Sequence, residues 1–175
     1  NEIYTLSLLD DDPVYGGLEN PRAFGTRGRG LGQFHYPNGI AVNPTNGRVY
    51  VADSDNHRIQ VFDDIDGRLE NPRAFGGTLG QELGQFSYPK GIAVNPINGR
   101  VYVADSDYHQ IQIFDEGVDG SLANPRAFGT EGQGLGQFIN LYGVAVNPTN
   151  GIVYVADTIN HRIQVFDEGV DGGLE

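Results

Sequence analysis

The sequence predicts an all-β protein built from three blades of a propeller. One observation behind this is a block pattern of about fifty residues that recurs three times, a period typical of propellers and arrays. Another is that each copy carries four short Val/Ile/Tyr/Phe-rich runs separated by turn residues. The third is that runs such as Val49-Tyr50-Val51-Ala52 are apolar on both alternate faces, so each sheet needs cover on both sides.

The copies run Leu18–Arg68, Leu69–Ser121 and Leu122–Gly173. Residues 1–17 precede them as a closing strand segment, and Leu174-Glu175 stands in phase with Leu18-Glu19 and Leu69-Glu70, the start of a further repeat or a terminus. Asn-Pro-Arg-Ala-Phe-Gly stands at Asn20, Asn71 and Asn124, and Leu-Gly-Gln-Phe at Leu31, Leu83 and Leu135. Next come Gly-Ile/Val-Ala-Val-Asn-Pro at Gly39, Gly91 and Gly143, and Val-Tyr-Val-Ala-Asp at Val49, Val101 and Val153. Arg-Ile-Gln-Val-Phe-Asp at Arg58 and Arg162, echoed from Gln110, completes the unit.

In each unit Ile40–Val42 is the expected inner strand, followed by Val49–Ala52 and Ile59–Phe62, with the Arg-Ala-Phe run outermost. Asn43-Pro44-Thr45-Asn46-Gly47 reads as a hairpin turn: the Asn-Gly step supplies positive φ, and Pro44 presets the chain direction. Gly25–Gly32 is too glycine-rich for a strand and reads as the link between blades. Three blades cannot close a ring, which needs roughly four to eight. A two-chain ring, a longer propeller or an open stack follows, and an N-terminal strand at Arg22–Phe24 is expected to complete a third blade.

Composition narrows the function classes. The net charge is −12, and Lys90 is the single lysine beside ten arginines. Such a field repels phosphate backbones and anionic membranes at long range, so nucleic-acid binding and membrane insertion are not expected. No apolar run approaches the ~18 residues that span a bilayer. There is no cysteine, hence neither a disulfide framework nor thiol chemistry.

Several residues invite a chemical reading. His57, His109 and His161 share one repeat position, too far apart around a ring to ligate a single metal, so a repeated structural hydrogen bond is expected. Asp53, Asp105 and Asp157 are expected to cap turns through Asx-type bonds, with a ring of carboxylates around a metal as the alternative. The acidic loops hold Asp63, Asp64 and Asp66; then Asp115, Glu116 and Asp119; then Asp167, Glu168 and Asp171. Closely spaced carboxylates before glycine suit calcium, although the twelve-residue EF-hand pattern is missing and a solvated turn explains them equally. No other cofactor is expected. Gly25, Gly28, Gly30 and Gly32 with Arg27 and Arg29 lack the lysine and helix of a phosphate-binding loop.

The copies disagree at one loop leading into the inner strand. His35-Tyr36-Pro37-Asn38, Ser87-Tyr88-Pro89-Lys90 and Ile139-Asn140-Leu141-Tyr142 occupy the same position with different chemistry. The scaffold tolerates all three, so it does not dictate these side chains. His35, Tyr36, Asn38, Tyr88, Lys90, Asn140 and Tyr142 are therefore the candidate protein- or peptide-binding residues, against the plain alternative of drift in an unconstrained loop.

The Asn-His-Arg-Ile-Gln-Val-Phe run at Asn56 and Asn160, with the Gly-Gln-Phe, Pro-x-Gly-Ile-Ala-Val and Val-Tyr-Val-Ala-Asp blocks, resembles the NHL repeat. The resemblance covers Leu18 to Phe166. The second copy departs with Tyr108-His109-Gln110, and the third loses the proline before Gly143. The Asn-Pro-Arg-Ala-Phe block also resembles gluconolactonase-like propellers, whose acidic metal ligands have no evident counterparts here. The resemblance implies a propeller, often six-bladed, whose members mostly bind proteins, while some bind RNA and a few are zinc lyases. Together these point to a non-catalytic module that binds protein, including other copies of itself, as a ring or filament outside the cytoplasm or in the cell envelope. The expectation of export also draws on a chain that begins at Asn1. The alternative is a metal-dependent lactonase or lyase of the six-bladed class.

Overall fold

The structure is a computed structural model, and it describes residues 21–169 and 172–175. The proposed closing segment at 1–17 and Asp171 lie outside the described residues. Strands β1 (Thr26–Arg27) and β2 (Gln33–Phe34) precede the first blade, formed by β3 (Pro37–Val42), β4 (Arg48–Asp53), β5 (Arg58–Ile65) and β6 (Arg68–Gly76). The second blade is β7 (Pro89–Val94), β8 (Arg100–Asp105), β9 (Gln110–Glu116) and β10 (Leu122–Phe128). After β11 (Thr130–Glu131) and β12 (Gln137–Phe138) comes a third sheet of β13 (Leu141–Val146), β14 (Val153–Asp157) and β15 (Arg162–Phe166). Each blade is an antiparallel meander in chain order, inner strand first. The expected strand order therefore holds.

The turn between the first two strands takes its positive φ from the Asn-Gly step, as expected. Only Gly47, Gly99 and Gly151 have positive φ there; the preceding asparagines do not. Asn46 instead accepts the N–H of Arg48 at 3.0 Å, while Asn43 accepts that of Thr45 at 2.9 Å. Side-chain amide oxygens thus brace the five-residue loop 43–47. A correction concerns the glycine-rich link. It is not wholly irregular, because Thr26–Arg27 pairs in parallel with Gln33–Phe34, and β11 pairs likewise with β12. Residues 22–24 form no ladder among the described residues, yet Phe24 packs edge-on against Phe34 and Phe62.

The Asn-Pro-Arg-Ala-Phe motif makes a bulged outer strand. Asn71 and Asn124 take left-handed φ near +50°, which asparagine tolerates, and the ladder shifts register there. Pro72 sits on the outermost strand, where a missing N–H costs no ladder bond. Arg73 then reaches Asp63 at 2.7 Å, as Arg126 reaches Asp115 at 2.7 Å. These pairs hold both aspartates down at about 2, chiefly through the arginine hydrogen bonds.

Blades are joined face to face. Tyr50, Ile59 and Val61 of the first blade pack with Phe86, Val101 and Phe114 of the second, all essentially inaccessible. Tyr102, Ile111 and Ile113 repeat this against the third sheet. Three phenylalanines fasten each seam at the rim: Phe75 lies 5.0 Å from Phe114 and 6.4 Å from Phe86 between ring centres, and Phe128 with Phe138 and Phe166 copies the arrangement. Near the axis the inner strands approach backbone to backbone. A Cβ at Gly39 would lie 2.2 Å from the Lys90 carbonyl, and one at Gly91 would lie 2.8 Å from that of Tyr142. The glycine of Gly-Ile-Ala-Val is thus set by the neighbouring blade.

Replacing Gly91 by alanine is expected to force β7 and β13 apart and cost about 2 kcal/mol or more. Chemical denaturation of the variant measures this directly.

Candidate functional site

The polar side chains between strands fall into two groups, one that holds the blades and one that the blades leave free. At the heart of the first is Asp53, fully buried at the end of β4. It accepts the backbone N–H of His35 at 2.7 Å, the Arg58 Nε–H at 2.7 Å, the Gln60 amide at 3.0 Å and the Asn56 amide at 2.9 Å. Asp157 repeats this with Ile139, Arg162, Gln164 and Asn160. Arg58 passes the tie on to the carbonyls of Arg29, Gly30 and Gln33, binding the glycine-rich link to the sheet. Gln60 adds a bond from the Gly32 N–H at 2.9 Å. The expected local Asx turn is therefore a buried hub whose acceptor bonds reach eighteen residues back in the chain.

The second blade lacks half of this hub. Tyr108 and Gln110 stand where Asn56 and Arg58 stand in the first copy. Asp105 keeps backbone N–H groups alone, those of Ser87, at 3.0 Å, Tyr88, at 3.1 Å, and Tyr108. Burial pushes its carboxyl up to about 6 against the pull of those bonds. Burial would raise Asp157 too, but Ile139, Asn160, Arg162 and Gln164 outweigh it and hold that carboxyl below its ordinary range.

The repeated histidines serve the seams. His57 and His109 both take left-handed φ near +53°. The ring of His57 bonds the Ser87 carbonyl through Nδ1, whereas Nδ1 of His109 accepts the Asn140 N–H at 3.1 Å. Nδ1 is thus the donor in His57 and the acceptor in His109.

The acidic loops serve the seams as well. Glu116 accepts from Asn43, from Asn46 at 2.8 Å and from Arg48 at 2.8 Å, all in the preceding blade. Glu168 does the same with Asn95 at 3.1 Å, Asn98 at 2.7 Å and Arg100. Asp64 caps the Gly67 N–H at 2.7 Å, Asp66 lies at the turn with φ +53°, and Asp119 caps Ser121 at 3.0 Å. Asp167 pairs through its backbone with Glu175. The structure does not gather these carboxylates: no group of three or more His, Asp or Glu side chains stands ready for a metal ion among the described residues. Sequence reasoning missed the clamp, whose signal was an arginine after the first two Asn-Gly turns, Arg48 and Arg100, each matched by a glutamate one repeat later.

The second group is the loop where the copies differ. Asn38, Lys90 and Tyr142 occupy equivalent places on β3, β7 and β13 and line one shallow cavity of about 240 Å³. The Lys90 ammonium lies 3.5 Å from the Tyr142 ring centre and 6.0 Å from that of Tyr88. Asp55 pushes the Tyr88 phenol up and also lies 3.3 Å from Nδ1 of His35, whose ring packs 5.1 Å from Tyr36. Arg27 meets the other nitrogen of His35 at 3.3 Å. Tyr36, His35, Tyr88, Lys90 and Tyr142 thus make one continuous surface across three blades. Asn38 also donates to Ser54 at 2.7 Å, and the Asn140 backbone N–H donates to His109 at 3.1 Å.

Stacked four-stranded meanders with a side-chain face at the inner-strand loops define a β-propeller module. The NHL repeat model matches residues 34–62, 86–114 and 142–166, and the chain belongs to the NHL-repeat family. It is 32% identical over 154 residues to the protein brain tumor of Drosophila melanogaster, covering 83% of this chain and 13% of that protein. It is 27% identical to a probable peptidyl-alpha-hydroxyglycine alpha-amidating lyase of Caenorhabditis elegans, covering 82% of this chain and 40% of that one. The chain thus spans less than half of either relative. Among solved structures, a nidogen/laminin complex shares the fold with a TM-score of 0.56 at 19% identity, covering 78% of this chain and 45% of the other.

Supplying the missing hub partners through Tyr108→Asn and Gln110→Arg is expected to stabilise the protein by about 2 kcal/mol at pH 7.5. Folded Asp105 holds its proton to about pH 6, above the ordinary 3.8 of an unfolded aspartate, so its contribution falls as pH rises between these values. The gain should therefore shrink toward pH 4.5 in paired thermal melts.

Proposed function

We propose that the chain is a non-catalytic protein-binding module that recognises its partner at the inner-strand loops and works outside the cytoplasm or in the cell envelope. One observation carries the reading. The only lysine of a chain with net charge −12 is held among tyrosines at a loop where the three repeats differ in chemistry. Tyrosines with a single cation give a large rigid contact surface and a fixed anchor for one carboxylate of a peptide, while the surrounding negative field disfavours nucleic acid. The similarity to an amidating lyase motivates the alternative of a metal-dependent enzyme. Against it, His57 and His109 are committed to backbone bonds across the seams.

Self-association belongs to the same reading. The outward face of the third sheet exposes side chains that its two sisters bury, so the module is completed by further blades, as a ring or a filament.

Panning a displayed peptide library against the protein should enrich acidic peptides whose affinity falls at least tenfold for the Lys90→Ala, Tyr142→Ala double variant. Equal binding to that variant would place the recognition surface elsewhere. Independently, zinc or calcium binding at one equivalent per chain, measured by titration calorimetry, would favour the enzyme alternative.

A further inference from the structure

In the first and third blades a single guanidinium ties the corner of the blade to the link, and it meets the same four acceptors in both. Arg58 gives its Nε–H to Asp53 and its two amino groups to the carbonyls of Arg29, Gly30 and Gln33, through bonds of 2.7–2.9 Å. Arg162 gives its Nε–H to Asp157 and its amino groups to the carbonyls of Gln133, Gly134 and Gln137. One carboxylate and three carbonyls thus surround a flat, forked cation.

The second blade keeps the acceptors and has lost the donors. Gln81, Glu82 and Gln85 stand at the positions of Arg29, Gly30 and Gln33. The link is held there in the same way. Gly84 donates to Gln112 at 2.9 Å as Gly32 does to Gln60, and Gln112 returns a bond to the Gln85 carbonyl as Gln60 does to that of Gln33. The Gln85 N–H closes on the Glu82 carbonyl at 2.9 Å, matching 3.1 Å between Gln33 and Gly30. Asp105 is fully buried, like Asp53 and Asp157. Its sisters each take bonds from an asparagine, an arginine and a glutamine side chain. Asp105 receives backbone N–H groups alone.

The replacement leaves the place open to water. By bond count the amide nitrogen of Gln110 matches only the Nε of an arginine, so the two amino groups that reach the link have no counterpart. Arg58 is 8% exposed, whereas the smaller Gln110 is half-buried, and Gln81 and Glu82 are exposed. Glu82 also brings a carboxylate to a position that is glycine in both sister blades. A buried carboxylate without a cation is costly in its charged form, and either a proton or another cation relieves it. The proton has this role when no cation is bound, because burial pushes Asp105 up to about 6. The negative field of the chain draws cations toward the same place.

We infer that the second blade binds a guanidinium group from outside the chain, an arginine side chain of a partner or the free amino acid, with Asp105 and the carbonyls of Gln81, Glu82 and Gln85 as its acceptors. The class of ligand follows from the sister blades, where this acceptor set already holds that group. An ammonium, a point charge with three donors, does not match the fork. The site is separate from the Lys90 surface, although the loop that carries Lys90 also supplies the Ser87 and Tyr88 N–H groups that hold Asp105.

Methylguanidinium is the probe. Titrated into isotope-labelled protein at about pH 7.5, where Asp105 has given up its proton, it should shift the amide resonances of Ser87 and Tyr88 saturably. Methylammonium and potassium at the same concentration should not. Gln110→Arg supplies the group from within the chain, and Asp105→Asn removes the charge at constant shape. Each should weaken binding at least tenfold with an unchanged far-ultraviolet spectrum. Binding that survives Gln110→Arg, an equal response to methylammonium or potassium, or the lack of a saturable shift overturns the site. Free arginine and the peptide Gly-Arg-Gly separate the two sources. A peptide at least tenfold tighter assigns the group to a partner chain, and free arginine as tight or tighter assigns it to the amino acid. None of these outcomes bears on peptide recognition at Lys90, which the panning measures separately.

Discussion

Burial of both faces of each small sheet is the constraint from which the rest follows. A four-stranded meander with Val, Ile, Tyr and Phe on each side cannot be stable with one face in water. Each fully buried aliphatic or aromatic side chain contributes about 1.5–3 kcal/mol relative to exposure, so a seam holding Tyr50, Ile59, Val61, Phe86, Val101 and Phe114 is worth far more than any polar contact around it. The neighbouring blade is in this sense part of each blade's own core. The glycines of the inner strands follow, because sheets pressed together at the axis leave no room for a Cβ at positions 39 and 91.

The polar residues are arranged to serve that stacking. Aspartate at the end of the second strand gathers the link, the corner and the third strand into one hydrogen-bonded unit, and the phenylalanine trio closes the rim. The Arg–Glu clamps then join one unit to the next. Because these tasks are repeated, deviations from the repeat are informative. Where the second copy loses asparagine and arginine, its aspartate holds a proton to about pH 6. Where the loops before the inner strands diverge, the three copies share only a backbone bond to the hub aspartate, and the side chains collect into one surface of aromatics and a single cation.

The family contains chains similar to this one whose names describe very different proteins, including brain tumor and an amidating lyase. The shared part is the scaffold. Function in such modules rests on loops that the scaffold positions but does not specify, and in the reading proposed above those are the loops of Tyr36, Tyr88, Lys90 and Tyr142.

The sequence alone marked the three repeats, the order of their strands and the two-sidedness of their sheets, since repetition and strand periodicity are local properties carried by residues close together in the chain. It also marked the variable loop, because three copies could be compared. Tertiary structure decided what Asp53, Glu116 and His57 do. Their partners lie eighteen to seventy-three residues away, or in the next blade, and no spacing rule relates them. The acidic loops that resembled calcium ligands in sequence are split by the fold into clamps and turn caps, because a carboxylate's role is set by which donor the packing brings within 3 Å.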